Sequence, residues 1–132
     1  MTLTKIVLSL FIFFFTGAVL QAQEQDIIIQ VRDAFRSASS KEVAKLLNET
    51  VDMNIQGNIK NYSKSQAEII LRDFFKKNPP TSFVIIHHGA SQTGLPYAIG
   101  EYKSNSDTYR VWVRIKKFGN DFVITEIRFI KE

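Results

Sequence analysis

From Ser82 onward the chain reads as four long strand-like segments, Ser82–Ala90, Tyr97–Lys103, Thr108–Lys117 and Phe122–Lys131. They are joined by Ser91–Gly94, Asn105-Ser106 and Gly119-Asn120-Asp121. Connections this short make hairpins, whereas parallel neighbours need a crossover of a dozen residues or more. The last three strands are therefore committed to an antiparallel meander, and the preceding segments have to cover one of its faces.

Those preceding segments are mostly helical. Ile27, Val31, Ala34, Phe35 and Ala38 fall on one face of a helix over Glu24–Ala38. Ser39 and Glu42 form a Ser-x-x-Glu capping box that starts a short second helix through Leu47, with Asn48 as its stop. Val51–Gln56 alternates strictly, Gly57-Asn58 turns it, and Ile59–Tyr62 returns as a short strand. Ser63 and Gln66 make a second capping box. The helix behind it runs to about Lys77, carries Ala67, Ile70, Leu71, Phe74 and Phe75 on one stripe, and ends at Asn78-Pro79-Pro80. Three helices against one face of a curved antiparallel sheet is an α+β layout.

Met1–Ala22 has the charged, apolar, small-residue order of a secretory signal peptide. Lys5 is its only charge, Ile6–Phe15 is apolar apart from Ser9, and cleavage after Ala22 would leave Gln23 first. The apolar stretch to Leu20 is shorter than the roughly 20 residues of a membrane-spanning helix, so cleavage is preferred to an anchor. The expected organisation is a signal peptide over 1–22 and a single domain over 23–132, periplasmic or secreted, with no membrane association after cleavage. The chain has no cysteine, which excludes disulfides, thiolate metal sites and a thiol nucleophile. Its net charge of +4 loses only Lys5 on cleavage. Because the basic residues are mixed with acids, no nucleic-acid footprint is expected.

The sheet register follows from polarity matching. A two-residue turn at Gly119-Asn120 would set Val113 opposite Glu126 and Val111 opposite Arg128. A three-residue loop instead pairs Val113 with Ile127, Val111 with Phe129, Arg114 with Glu126 and Trp112 with Arg128. That register separates apolar from charged residues and is the one adopted. With Asn105-Ser106 as a two-residue turn holding Asn at positive φ, Glu101 faces Arg110, Ile99 faces Trp112 and Tyr97 faces Arg114. The inner face then carries Ala98, Gly100, Tyr102, Tyr109, Val111, Val113 and Ile115, continued by Val123, Thr125, Ile127 and Phe129. The outer face carries Tyr97, Ile99, Glu101, Arg110, Trp112, Arg114, Glu126 and Arg128, with two cross-strand ion pairs and an arginine stacked on the only tryptophan.

Three stretches carry a resemblance: Ile27–Phe35, Phe74–Pro79, and Tyr97–Tyr102 leading into Tyr109–Val113. In these and in element order the chain resembles the nuclear transport factor 2-like (ketosteroid-isomerase-like) superfamily. Within it, the chain is most similar to the exported bacterial family called domain of unknown function 4783. The resemblance implies a cystatin-like α+β cone whose curved sheet and helices can enclose a pocket, and dimers formed through the outer sheet face. Enzymes of the superfamily place carboxylates, histidines or tyrosines inside the cone. Here Asp52, Glu101 and Glu126 all turn outward in the adopted register.

Candidate pocket residues are His87, His88, Tyr102, Tyr109 and Thr125. Adjacent strand residues point to opposite faces, so His87 and His88 cannot chelate one ion together, and one of them points toward the helices near Gly89. A histidine there suits a general base or a ligand anchor. Gly100 and Ala98 leave room for a small pocket floored by Tyr102, or let a neighbouring element approach. The chain shows no His-x-x-x-His spacing, glycine-rich phosphate loop or Gly-x-Ser-x-Gly elbow, and no metal, cofactor or catalytic residue is assigned. Candidate interface residues are Tyr97, Ile99, Arg110, Trp112, Arg114 and Arg128, since aromatic and arginine side chains are enriched at interfaces. The leading expectation is a non-enzymatic exported binding or protein-interaction domain, homodimeric through the outer face. The alternative is a carrier or enzyme that takes a small apolar ligand in the cone. Export has a direct check. Intact-mass analysis of protein from its native host is expected to show a chain beginning at or near Gln23, and a full-length chain retained in the cytoplasm would contradict it.

Overall fold

The computed structural model describes residues 23–132, so the signal peptide read over 1–22 lies outside the described residues. Three helices precede most of the sheet: α1 over residues 23–36, α2 over Ser40–Lys45 and α3 over Lys64–Lys77. Six strands follow the order β1 (Leu47–Ile55), β2 (Asn58–Ser63), β3 (Pro80–Ala90), β4 (Pro96–Ser104), β5 (Thr108–Phe118) and β6 (Asp121–Lys131). Their order across the sheet is β2-β1-β6-β5-β4-β3. The class is the α+β expected. The sheet is open and mixed, because β1 lies parallel to β6 while every other neighbouring pair is antiparallel.

The helix ends show how local chemistry sets the layout. α1 stops two residues before Ala38, which sits in the left-handed region at φ 52°. The Ser39 N–H bonds to the Ala34 carbonyl and the Ala38 N–H to the Phe35 carbonyl, both at 3.1 Å. This is a Schellman closure with alanine where glycine is usual. Ser39 serves two helices, because its hydroxyl also accepts from the Glu42 N–H at 3.1 Å. Only half of the first capping box forms, since the Glu42 carboxylate turns instead to Lys45 at 3.0 Å. The box expected at Ser63 and Gln66 is complete. The first hairpin turns at Gln56-Gly57, one residue earlier than expected. Both residues have positive φ, 59° and 89°, as a two-residue type I′ turn requires.

The expected partners in the meander are all present, including Arg114 with Glu126, Trp112 with Arg128 and Ile99 with Trp112. They arise by a different route from a three-residue loop. The last turn holds only Gly119-Asn120, with Phe118 opposite Asp121, and a bulge at Thr125 then restores the register. Ile124, not Thr125 or Val123, therefore points into the core, and Thr125 is only partly buried. The turn between β4 and β5 also differs in detail. Asn105 does not have positive φ. The Ser104 hydroxyl accepts from the Asp107 N–H at 3.1 Å, and the Ser104 N–H bonds to the Asp107 carbonyl at 2.8 Å.

The concave face is filled with aromatic rings. Phe35 of α1 stacks on Phe83 of β3 with centroids 5.0 Å apart. Phe74 of α3 packs against Phe129 at 4.3 Å, Tyr109 at 5.2 Å and Tyr102 at 5.5 Å. Such pairs contribute about 0.5–1.5 kcal/mol each beyond the area they bury. Gly100 matters here because it has no side chain: a Cβ on it would lie 2.3 Å from two carbons of the Phe83 ring. The space expected above Gly100 is occupied by that ring. Gly100→Ala is therefore expected to cost about 1–3 kcal/mol through overpacking, read as a lower urea midpoint. Adding Phe83→Leu should couple favourably to it in a double-mutant cycle. A Gly100→Ala protein as stable as wild type would refute this packing.

Candidate functional site

Two of the candidate pocket residues, Tyr102 and Tyr109, are buried and serve the same anchor. The Tyr102 hydroxyl donates to the Asn78 backbone carbonyl, and the Tyr109 hydroxyl donates to Asn78 Oδ1 at 3.4 Å. Asn78 also closes α3, its N–H and Nδ2 both bonding to the Phe74 carbonyl at 2.9 and 3.2 Å. The Asn-Pro-Pro sequence marked the helix end, but the anchoring role of Asn78 had no local signal, because both tyrosines reach it from strands distant in sequence. Tyr102 is completely buried. Burial, with Tyr109 beside it, pushes its hydroxyl well above the ordinary tyrosine range. It holds its proton and donates it, so it is a structural tie rather than a base.

The two histidines part company, as their adjacency requires. A bulge at Ile86 lets His87 pair with Ile99 and His88 with Ala98. His87 therefore lies on the outer side, where its Nε2 is 2.9 Å from the Tyr97 hydroxyl. His88 lies on the helix side, at the open end of the sheet. There it lines a cleft of about 570 Å³ together with Glu24, Ile28, Ile29, Ala90 and Pro96. The structure thus separates the five candidate pocket residues: two in the packed core, one on a bulge, one on the outer face and one at this cleft. Among the described residues, no three His, Asp or Glu side chains converge as metal ligands.

The outer face collects the candidate interface residues on three adjacent strands. Trp112 is 37% exposed. Its ring lies nearly parallel to that of Tyr97, with an interplanar angle of 20° and centroids 6.4 Å apart. Tyr97, rather than an arginine, is the ring partner of Trp112, since Arg128 turns aside to Glu126. Glu126 also binds Arg114 at 3.1 Å, which makes one of the two expected cross-strand pairs. The other does not form: Arg110 bonds to Glu132 at 3.0 Å and Glu101 to Lys103 at 3.4 Å. The residue beside Glu126 on β1 is Asp52, which accepts from Asn61 Nδ2 at 2.8 Å.

The helices over one face of a curved open sheet define a nuclear transport factor 2-like, cystatin-like fold. A nuclear transport factor 2-like protein from Silicibacter pomeroyi superposes with a TM-score of 0.61 at 7% identity, over 88% of this chain and 98% of that one. A cystatin-like domain from Nostoc punctiforme gives 0.65 at 13% identity, over 84% and 78%. Within this class the chain belongs to the DUF4783 family, a domain of unknown function whose family model matches residues 28–129. A family protein from Bacteroides ovatus is 30% identical with a TM-score of 0.74, over 78% of this chain and 93% of that one. One from Bacteroides fragilis is 26% identical with the same TM-score, over 79% and 97%. No curated protein sequence matches the chain.

The tyrosine anchor has a signed pH consequence. A folded-state value raised above the unfolded one contributes stability in full below the ordinary tyrosine value of about 10, and loses it as pH rises beyond. Tyr102→Phe leaves the Asn78 carbonyl without its donor and is expected to cost about 1–2 kcal/mol at neutral pH. Urea unfolding across pH 7–11 should show wild-type stability falling above about pH 10 and the variant flatter there. Parallel curves for the two proteins would contradict the anchor.

Proposed function

We propose that the protein is an exported, non-enzymatic interaction domain that pairs with a second copy of itself through the outer face of its sheet. The observation that carries this reading is the contrast between the two faces. The concave face, where an enzyme of this fold would hold its substrate, is occupied by Phe35, Phe83, Phe74 and Tyr102. The convex face leaves Trp112, Val84, Ile130 and Ile59 in solvent. Its acids are already engaged by cations or an amide of the same chain, so a two-fold contact there is driven by apolar burial rather than by exchanged ion pairs. Arg110, Arg114 and Arg128 keep their partners on the central strands beside Trp112 and Ile130, while Val84 and Ile59 extend the apolar surface to the two edges.

A carrier or enzyme of small apolar ligands is supported less well, because packed rings occupy the cone around Tyr102 and Tyr109. Self-association has a simple test. Sedimentation at micromolar concentration is expected to show a dimer. Trp112→Ala should weaken it by about 2 kcal/mol or more, as loss of a hot-spot residue does, with folding largely intact. A wild-type chain that stays monomeric, with Trp112→Ala unchanged, would remove the reading.

A further inference from the structure

β3 is an edge strand, with β4 on one side and no strand on the other. In an antiparallel ladder every second residue turns its N–H and C=O away from its partner strand, so the free side of β3 presents an unpaired row. Natural edges are usually blunted by lysine, by proline or by a covering element. The opposite edge, β2, carries Lys60. From Thr81 to Ala90 β3 carries no lysine, arginine, aspartate, glutamate or proline. Among the described residues, the hydrogen bond that reaches its first half comes from Arg36 at the end of α1, which donates to the Phe83 carbonyl at 2.9 Å.

Beyond that contact an apolar cleft lies between the strand and the start of α1. Glu24, Gln25, Ile28 and Ile29 form its helix wall, and His88, Gly89 and Ala90 form its strand wall, with Pro96 of β4 beside Ala90. Ile29, 45% exposed, is a partly open apolar wall of that cleft. The cleft volume of about 570 Å³ falls in the range of ligand sites. An unpaired strand edge beside an apolar helix wall is the arrangement that accepts an added strand, with main-chain bonds on one side and alternate side chains held on the other.

We propose that this cleft binds an extended apolar peptide segment, added as a seventh strand beside His87–Ala90 and carrying one basic group at the end nearest Glu24. The segment is short because the bulge at Ile86 interrupts the edge. The same bulge disfavours a second copy of β3 as the occupant, since a two-fold pairing would meet it twice. Charge selects the end group. Among the described residues, Glu24 is the only carboxylate lining the cleft and no lysine or arginine lines it, so an acidic peptide would find repulsion without a partner.

The test uses the processed protein against a displayed library of hexapeptides with Val, Ile, Thr, Phe or Tyr at alternate positions. Enriched sequences are remade as free, labelled peptides and measured by fluorescence anisotropy. Submillimolar binding is expected, with a lysine or arginine recurring at one end. N-methylation of alternate peptide amides should weaken it at least tenfold, because it removes main-chain donors and keeps the side chains. Ile29→Glu, exposed and so tolerated by the fold, should do the same, while Trp112→Ala should not. Glu24→Lys should reverse the preference for a basic end. The proposal is overturned by a library that yields no ligand, by N-methylated peptides binding equally well, or by binding lost in Trp112→Ala and kept in Ile29→Glu. Self-association abolished by Ile29→Glu would assign the cleft to a second copy and overturn it as well.

Discussion

The rest of the molecule depends on a contact made possible by a missing side chain. Gly100 gives the Phe83 ring a place against β4, and Phe35 of α1 stacks on that ring. Through Phe35 the contact sets the first helix against the sheet. Through Tyr102, next but one along β4, it joins the cluster around Phe74 and Phe129 that seats α3. Interiors pack at near-crystalline density, so rings arranged this way make the centre of the concave face core.

Polarity made the register legible, and it did so through a wrong intermediate. Val113, Val111, Arg114 and Trp112 each prefer one partner strongly, so the pairing of β5 with β6 could be read from residue type alone. The device that achieves it could not. A three-residue loop and a two-residue turn followed by a bulge give the same pairs beyond the bulge and differ only between Ile115 and Phe118. In that stretch the sequence alternation of Val123, Ile124 and Thr125 does not choose a face, which is why Thr125 was expected inside and Ile124 was not. The parallel seam between β1 and β6 lay beyond local reading for a related reason. Nothing near Asp52 or Met53 in sequence marks Glu126 and Ile127 as their neighbours.

The candidate site divides along the same line. Alternation separates His87 from His88 and turns Trp112 outward, but which histidine faces the helices is decided by the bulge at Ile86, which alternation does not show. Residues whose role follows from a choice between partners are not placed by it. Arg128 was expected over Trp112, its cross-strand neighbour, but the Glu126 carboxylate lies two residues away along the same strand. A charge-assisted hydrogen bond is worth more than a cation–π contact at an exposed site. Arg128 therefore joins Arg114 on Glu126, and Tyr97 takes the ring face instead.

The two surfaces proposed for recognition differ in kind. The convex face is broad, its acids are paired within the chain, and its apolar residues lie on several strands. Such a surface matches another broad surface and discriminates by shape. The β3 edge is narrow and its unsatisfied groups are main-chain, so it matches an extended segment and discriminates by the side chains that reach the α1 wall. One surface is built from side chains that have finished their hydrogen bonding, the other from backbone that has not. Because α1 and α3 cover the concave face between them, the two surfaces share only the edge at His87, whose ring bonds to Tyr97 on the convex side while the next residue, His88, lines the cleft. A strand added beside His87–Ala90 would therefore act directly on the Tyr97 end of the aromatic pair, placing any coupling between the surfaces at that dipeptide.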